Sequence, residues 1–265
     1  MRGRTKVTPA VFDAGKKLKV VGRSGVGVDN IDLNAARQHN ITVVNAPIAT
    51  TIAVAELTVG LMLAVMREIP RADAGMKEGK WLKKELEGGE LWENTLGIIG
   101  FGRIGQAVAK RAAAFDMKII AYDPVVSAED IRKQGAEPVT LDELFARSDV
   151  ITLHTPLTDS TRNMLNAEAF AKMKKGVYVV CAARGGVIDE TALLAALDSG
   201  HVAGAGLDVF ATEPPGQTPL VTHPKVVATP HIGGQTVQAQ RRAAYDIATE
   251  VLAALEGKPL RWKVA

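Results

Sequence analysis

Three side chains in the last third of the chain are of types that handle protons and carboxylates: Arg184, Glu213 and His231. Arg184 ends an apolar run and has Gly185 and Gly186 behind it, so no bulky neighbour competes for the space ahead of its guanidinium. A planar fork of donors suits bidentate binding of a carboxylate. The plainer reading is a surface ion pair. His231 stands in the turn Thr229-Pro230-His231-Ile232-Gly233-Gly234, bounded by proline and glycine rather than set on an apolar helix face. That setting favours an imidazole placed for function over one packed in a core. Glu213, followed by Pro214 and Pro215, is a partner that would hold the imidazole tautomer and favour its protonated form. On its own it reads as an exposed loop carboxylate, and spacing leaves open whether the three converge.

A second constellation is Gly100-Phe101-Gly102-Arg103-Ile104-Gly105, which follows an apolar run and opens a helical pattern. In that setting Gly100 permits a tight turn, Gly102 lets backbone approach a pyrophosphate, and Gly105 allows close packing of helix on strand. Unpaired N–H groups at the helix start would receive the phosphates. Asp123 ends the next apolar run, 18 positions past Gly105, close to the spacing of an acid that binds ribose hydroxyls. Its charge would repel a 2′-phosphate, so the expected cofactor is NAD.

The elements that must position these groups read as strands alternating with helices. Strands are expected at 18–23, 41–44, 96–99, 118–122, 137–139, 150–153, 177–181, 203–207 and 226–228. Helices are expected at 32–39 (capped by Asn30 or Asp32), 50–67, 104–114, 141–146, 190–199 and 236–255. The 50–67 helix is apolar almost all round, which predicts burial on most sides. Residues 70–93 turn polar and carry Trp81 and Trp92, a helix and an arm suited to contacts within a homodimer. The alternation implies a doubly wound parallel Rossmann sheet with a second, smaller, discontinuous α/β substrate domain. Residues 46–235 are assigned to the NAD-binding domain, and 1–45 with 236–265 to the substrate domain.

Bulk composition excludes several classes. The 265 residues are 47% hydrophobic and 23% charged, ordinary for a globular chain, and 32 basic against 29 acidic residues leave a net charge of only +3. Nothing there points to nucleic acid or an anionic membrane. No apolar run reaches the ~18 residues of a membrane span. No grouping of residues reads as a metal site. One cysteine, Cys181, forms no intrachain disulfide, so a cytoplasmic setting is expected.

Six segments in order, GFGRIG, AYDP, HTPL, AARGGVIDE, GLDVFATEPP and TPHIGG, resemble the D-isomer-specific 2-hydroxyacid dehydrogenase family. VGRSGVGVDNID and AELTVGLML resemble its D-3-phosphoglycerate-oxidising branch, which serves serine biosynthesis, and the likeness covers essentially the whole chain. It implies that Arg184, Glu213 and His231 are catalytic. It further implies that Gly100, Gly102, Arg103, Ile104, Gly105, Asp123, Thr155, Ala182, Asp208, Gly233 and Gly234 line NAD. Val26 and Gly27 match the loop whose amides hold a substrate carboxylate. Arg2 and Arg23 are cationic candidates for a substrate phosphate. A glyoxylate or hydroxypyruvate reductase would share every catalytic residue. A corepressor-like NAD sensor, or an NAD-binding fragment without turnover, are the readings from other classes.

Two departures from the family stand out. Cys181 occupies a position where the phosphoglycerate branch usually has asparagine. The βαβ structure that normally opens the substrate domain is missing ahead of Met1-Arg2-Gly3, so the small domain is expected to be truncated and to leave open strand edges.

Overall fold

The computed structural model describes residues 1, 3 and 5–265. The chain divides into two compact units, Met1–Ala53 with Gly234–Ala265, and Val54–Gly233. The sequence reading puts the division at 45/46 and 235/236. In the structure it falls within the first turn of a continuous helix and between two adjacent glycines.

The first unit opens with α1 (Pro9–Ala14), β1 (Val20–Arg23), α2 (Leu33–Gln38) and β2 (Thr42–Asn45). α1 is too short to show a helical apolar period, and Pro9 opens it where a missing N–H costs nothing. Of the two expected caps it is Asp32 that caps α2, accepting from Ala35 N at 2.8 Å. β1 and β2 run parallel, from Val20↔Thr42 to Arg23↔Asn45. Phe12, Val21, Ile31, Ala36, Ile41 and Val43 form this unit's core. Among the described residues the sheet has no third strand. On β1's outer edge the Met1 amino group donates to Gly22 O at 2.5 Å, and Ser24 N donates to Met1 O at 3.0 Å.

α3 (Thr51–Met66) and α4 (Ile69–Lys77) follow, and then an irregular stretch in which Trp81 and Trp92 are exposed. From there the second unit alternates: β3 (Thr95–Ile99), α5 (Arg103–Ala113), β4 (Lys118–Tyr122), α6 (Ala128–Lys133), β5 (Glu137–Pro138), α7 (Leu141–Arg147), β6 (Val150–Leu153), α8 (Ala167–Lys172), β7 (Val177–Cys181), α9 (Glu190–Asp198), β8 (Val202–Leu207) and β9 (Val226–Ala228). The seven strands form one parallel sheet in the order β5-β4-β3-β6-β7-β8-β9. The order reverses between β3 and β6, which opens a crevice at the carboxyl ends of those two strands.

Side chains cover both faces. Leu144, Phe170, Leu193 and Leu197 pack one face, and Leu61, Met62, Val108 and Ile131 the other. α3 lies close against β8 because that strand offers glycines. A Cβ on Gly204 would stand 2.7 Å from Val65 Cγ2, and one on Gly206 3.0 Å from Leu61 Cβ. That close approach buries the face of α3 that carries Leu61 and Val65. β5 is one residue shorter than expected, although Val139 N still donates to Ala121 O at 3.0 Å; Pro138 is tolerated because β5 is the edge strand and needs no N–H on its outer side.

The chain returns to the first unit through α10 (Val237–Leu255), capped by Thr236. The tail beyond it adds an antiparallel bridge to β2 at Val44↔Lys263, a pairing the sequence does not announce. Glu250, 2% exposed, ties α10 to this tail. Its carboxylate accepts from Arg261 Nε at 2.9 Å, Arg261 N at 2.9 Å and Trp262 N at 3.0 Å.

Burial alone would raise the Glu250 pKa. The Arg261 side chain and the two backbone N–H groups outweigh it and hold the carboxyl below its ordinary value. A depressed folded pKa contributes stability that is present above the unfolded value and lost as pH falls through the folded one. Glu250→Ala should therefore cost about 2–3 kcal/mol at pH 7, and the difference from wild type should shrink as pH drops below 4.5. Urea denaturation of both proteins across that range checks it.

Candidate active site

The turn after β3 is built as its glycines require. Gly100 has φ +90°, and a Cβ there would stand 2.8 Å from the His154 carbonyl. A Cβ on Gly105 would stand 2.3 Å from Gly100 O, so α5 lies against the turn. At Gly102 a Cβ would meet nothing within 4 Å, and Gly102 caps α5 with no side chain, so the helix start is open to a ligand. Asp123 stands at the end of β4. Its Oδ2 accepts from Phe101 N at 2.7 Å, and its Oδ1 from Val125 N at 2.8 Å and Val126 N at 3.0 Å. The acid expected to meet a ribose thus also fixes the glycine turn. Arg103 and Ile104 form the first turn of α5. Beyond β6, Thr155 keeps a buried Oγ1 with no hydrogen-bond partner. A bare helix N-terminus, a glycine that leaves space and an orphaned hydroxyl suit a dinucleotide.

Farther along the same sheet edge, the structure brings Glu213 and His231 together. His231 Nδ1 lies 2.8 Å from Glu213 Oε2, and Glu213 Oε1 accepts from Phe210 N at 3.2 Å. His231 has φ +54°, a left-handed conformation that costs a non-glycine residue about 1–3 kcal/mol. The turn that imposes it is held by Asp208, 1% exposed, at the end of β8. Its Oδ1 accepts from Thr229 Oγ1 at 2.6 Å and Ile232 N at 2.8 Å, and its Oδ2 from Gly233 N at 2.8 Å. The family resemblance gives Asp208 only a cofactor-lining position. Its part in setting His231 is spatial, and no signal in the sequence marks it.

Arg184 follows β7 and Ala182, with Nη1 donating to Ala183 O at 2.7 Å. Gly185 lies flat against the loop that carries Glu213: a Cβ there would stand 1.8 Å from Phe210 O. Arg184 and Glu213 are therefore joined through one backbone contact. Gly233 packs on Asp208 and Val54, whereas Gly234 belongs to the other unit and packs on Thr50. The remaining candidates also lie in that unit. Arg23 donates from Nη1 to Ser24 O at 2.7 Å, and the Val26-Gly27 loop is tied to the end of β2 by Asn45 Nδ2 donating to Val26 O at 2.8 Å. Arg2 lies outside the described residues.

Burial governs two more groups. Cys181 is buried and its thiol is pushed up to about 11, so it is a neutral packing group. Burial pushes the His154 imidazole down from 6.5 to about 3; its Nε2 meets Thr152 Oγ1 at 3.2 Å. Among the described residues no group of three or more His, Cys, Asp or Glu is placed to hold a metal ion.

The NAD-binding domain model of the D-isomer specific 2-hydroxyacid dehydrogenases matches residues 59–233. The chain belongs to this family. It is 53% identical over 254 residues to a hydroxypyruvate reductase of Thermotoga maritima, spanning 95% of this chain and 82% of that protein. It is 48% identical over 260 residues to a D-3-phosphoglycerate dehydrogenase of Bacillus subtilis, spanning 98% of this chain and 50% of that one. The solved structure of a glyoxylate reductase from Paecilomyes thermophila matches with a TM-score of 0.91 at 36% identity, over 98% of this chain and 79% of that one. The chain thus spans about half the length of the phosphoglycerate dehydrogenase it matches. NAD is the cofactor of the family's Rossmann domain, and the residues around Gly100 suit it.

Two outcomes follow for this family member. Gly185→Ala should displace the Phe210–Ala211 peptide and cut turnover about 100-fold, with NAD affinity within about twofold of wild type by fluorescence titration. His154 should stay neutral from pH 8 to pH 5 in the folded protein, visible as fixed ring shifts in NMR. Because its folded pKa lies below 6.5, the unfolded chain binds the extra proton first, and stability should fall as pH drops from 6.5 toward 3.

Proposed function

We propose that the chain oxidises a D-2-hydroxy acid with NAD, and that the substrate is D-3-phosphoglycerate, giving 3-phosphohydroxypyruvate for serine biosynthesis. The 2.8 Å contact between His231 and Glu213, in a turn anchored by Asp208, carries the reading. It fixes Nδ1 on the carboxylate and leaves Nε2 as the working nitrogen. NAD supplies the hydride acceptor at its nicotinamide C4. His231 Nε2 takes the proton of the C2 hydroxyl as the C2 hydride departs, so the alcohol becomes a ketone and the imidazole an imidazolium. Glu213 stabilises that imidazolium. Arg184 binds the carboxylate and the developing carbonyl oxygen. By the family resemblance alone, Val26 and Gly27 are assigned to the substrate carboxylate, and Arg2 and Arg23 to its phosphate.

Reduction of hydroxypyruvate or glyoxylate is the second reading, favoured by the likeness to the Thermotoga maritima hydroxypyruvate reductase and the Paecilomyes glyoxylate reductase. The same residues serve it in reverse, His231 giving its proton to the nascent alkoxide. A homodimer is part of the proposal, supported by the exposed Ile69, Met76, Trp81 and Trp92 on one stretch of chain. A cytoplasmic setting is likewise proposed, on the single thiol; no helix among the described residues is long and apolar enough to cross a membrane.

The test is NADH formation from D-3-phosphoglycerate, with D-glycerate and D-lactate in parallel. Phosphate-dependent turnover supports the first reading, activity on D-glycerate alone the second, and absence of both counts against oxidation by this chain. His231→Ala should lower turnover by ~100-fold or more and leave NAD affinity nearly unchanged. Turnover near wild type would remove His231 from its role.

A further inference from the structure

Glu190 opens α9, one residue past the Asp189 cap. An acid in a first helical turn is ordinary, since it favours the helix dipole. This one also reaches out of its helix: its Oε1 accepts from Ala211 N at 2.6 Å. That N–H belongs to the Phe210–Ala211 peptide, the same peptide whose carbonyl faces Gly185. The preceding N–H, of Phe210, goes to Glu213 Oε1 at 3.2 Å. One peptide unit is therefore held from two directions, pressed by Gly185 behind Arg184 and tethered by Glu190. Glu213 grips the neighbouring N–H and passes its position on to His231 at 2.8 Å. Glu190 also lines, with Arg184, Gly185 and Gly186, a cavity beside β7 too small for more than one water.

We propose that Glu190 is a positioning residue for the proton-transfer pair, holding the Phe210–Ala211 peptide so that Glu213 and His231 keep their register with Arg184. It touches neither substrate nor cofactor. Its effect runs through the loop, so it belongs in kcat rather than in binding. The proposal rests on the assignment of Glu213 and His231 as the acid–base pair. Glutamine keeps an Oε1 acceptor and alanine keeps none, which separates the hydrogen bond from the charge.

The experiment compares E190A and E190Q with wild type in the intact chain. Steady-state kinetics use NADH and hydroxypyruvate, and NMR follows exchange of the Ala211 amide and the hydrogen-bonded Nδ1 proton of His231. E190A should lose at least about 10-fold in kcat, with KM and NADH affinity within about twofold. Its Ala211 amide should exchange faster and its His231 Nδ1 signal should broaden. E190Q should restore all three. An E190A protein with wild-type kcat, or with an unchanged Ala211 amide, overturns the proposal. So does a loss confined to KM. If the wild-type chain does not reduce hydroxypyruvate, the functional reading fails separately, and the Ala211 amide and the His231 Nδ1 proton still decide whether Glu190 sets the pair.

Discussion

A buried carboxylate with its oxygens committed to one turn is the constraint on which the active-site arrangement depends. Asp208 is fixed by its strand, and it accepts from a hydroxyl and two backbone N–H groups of the turn carrying His231. Burial of such a charge is tolerated because those donors replace water. The turn in exchange adopts a left-handed backbone at His231 that the residue would not choose alone. Geometry at the imidazole is thus imported from the sheet, the stiffest part of the unit, rather than generated by the loop.

The same economy of space appears wherever backbone must approach backbone. Gly100 and Gly105 close the turn that would receive the dinucleotide, Gly185 lays the arginine's segment against the glutamate's loop, and Gly204 with Gly206 seats α3 on β8. In each case what matters is the missing side chain. The parallel sheet supplies the strand ends, and these absences bring the loops beyond them into register.

Much of this was legible in the sequence. The alternation of apolar runs with helical patterns gave away the doubly wound sheet, because buried parallel strands are continuous in hydrophobicity and their crossover helices are not. The Gly100–Gly105 spacing announced its own turn. Other features depend on partners far apart in the chain. Glu250 reads as one acid in an amphipathic helix until the tail folds back to Arg261 and Trp262. Asp208 gains its meaning only from residues 21 to 25 positions later. α1 is a single short turn-and-a-half with no period to detect.

The buried thiol of Cys181 carries a consequence of its own. It is the sole sulfhydryl in the chain, it sits on a central strand, and a pKa near 11 leaves it almost wholly protonated at neutral pH. Its Sγ lies 4.0 Å from Arg184 O and lines the small cavity shared with Gly185, Gly186 and Glu190, so an alkylating reagent reaches it only when this end of β7 or the Arg184 segment over it opens. Covalent labelling of this chain is therefore a clock for opening of the sheet end that carries Arg184, the same region that aligns the catalytic loops.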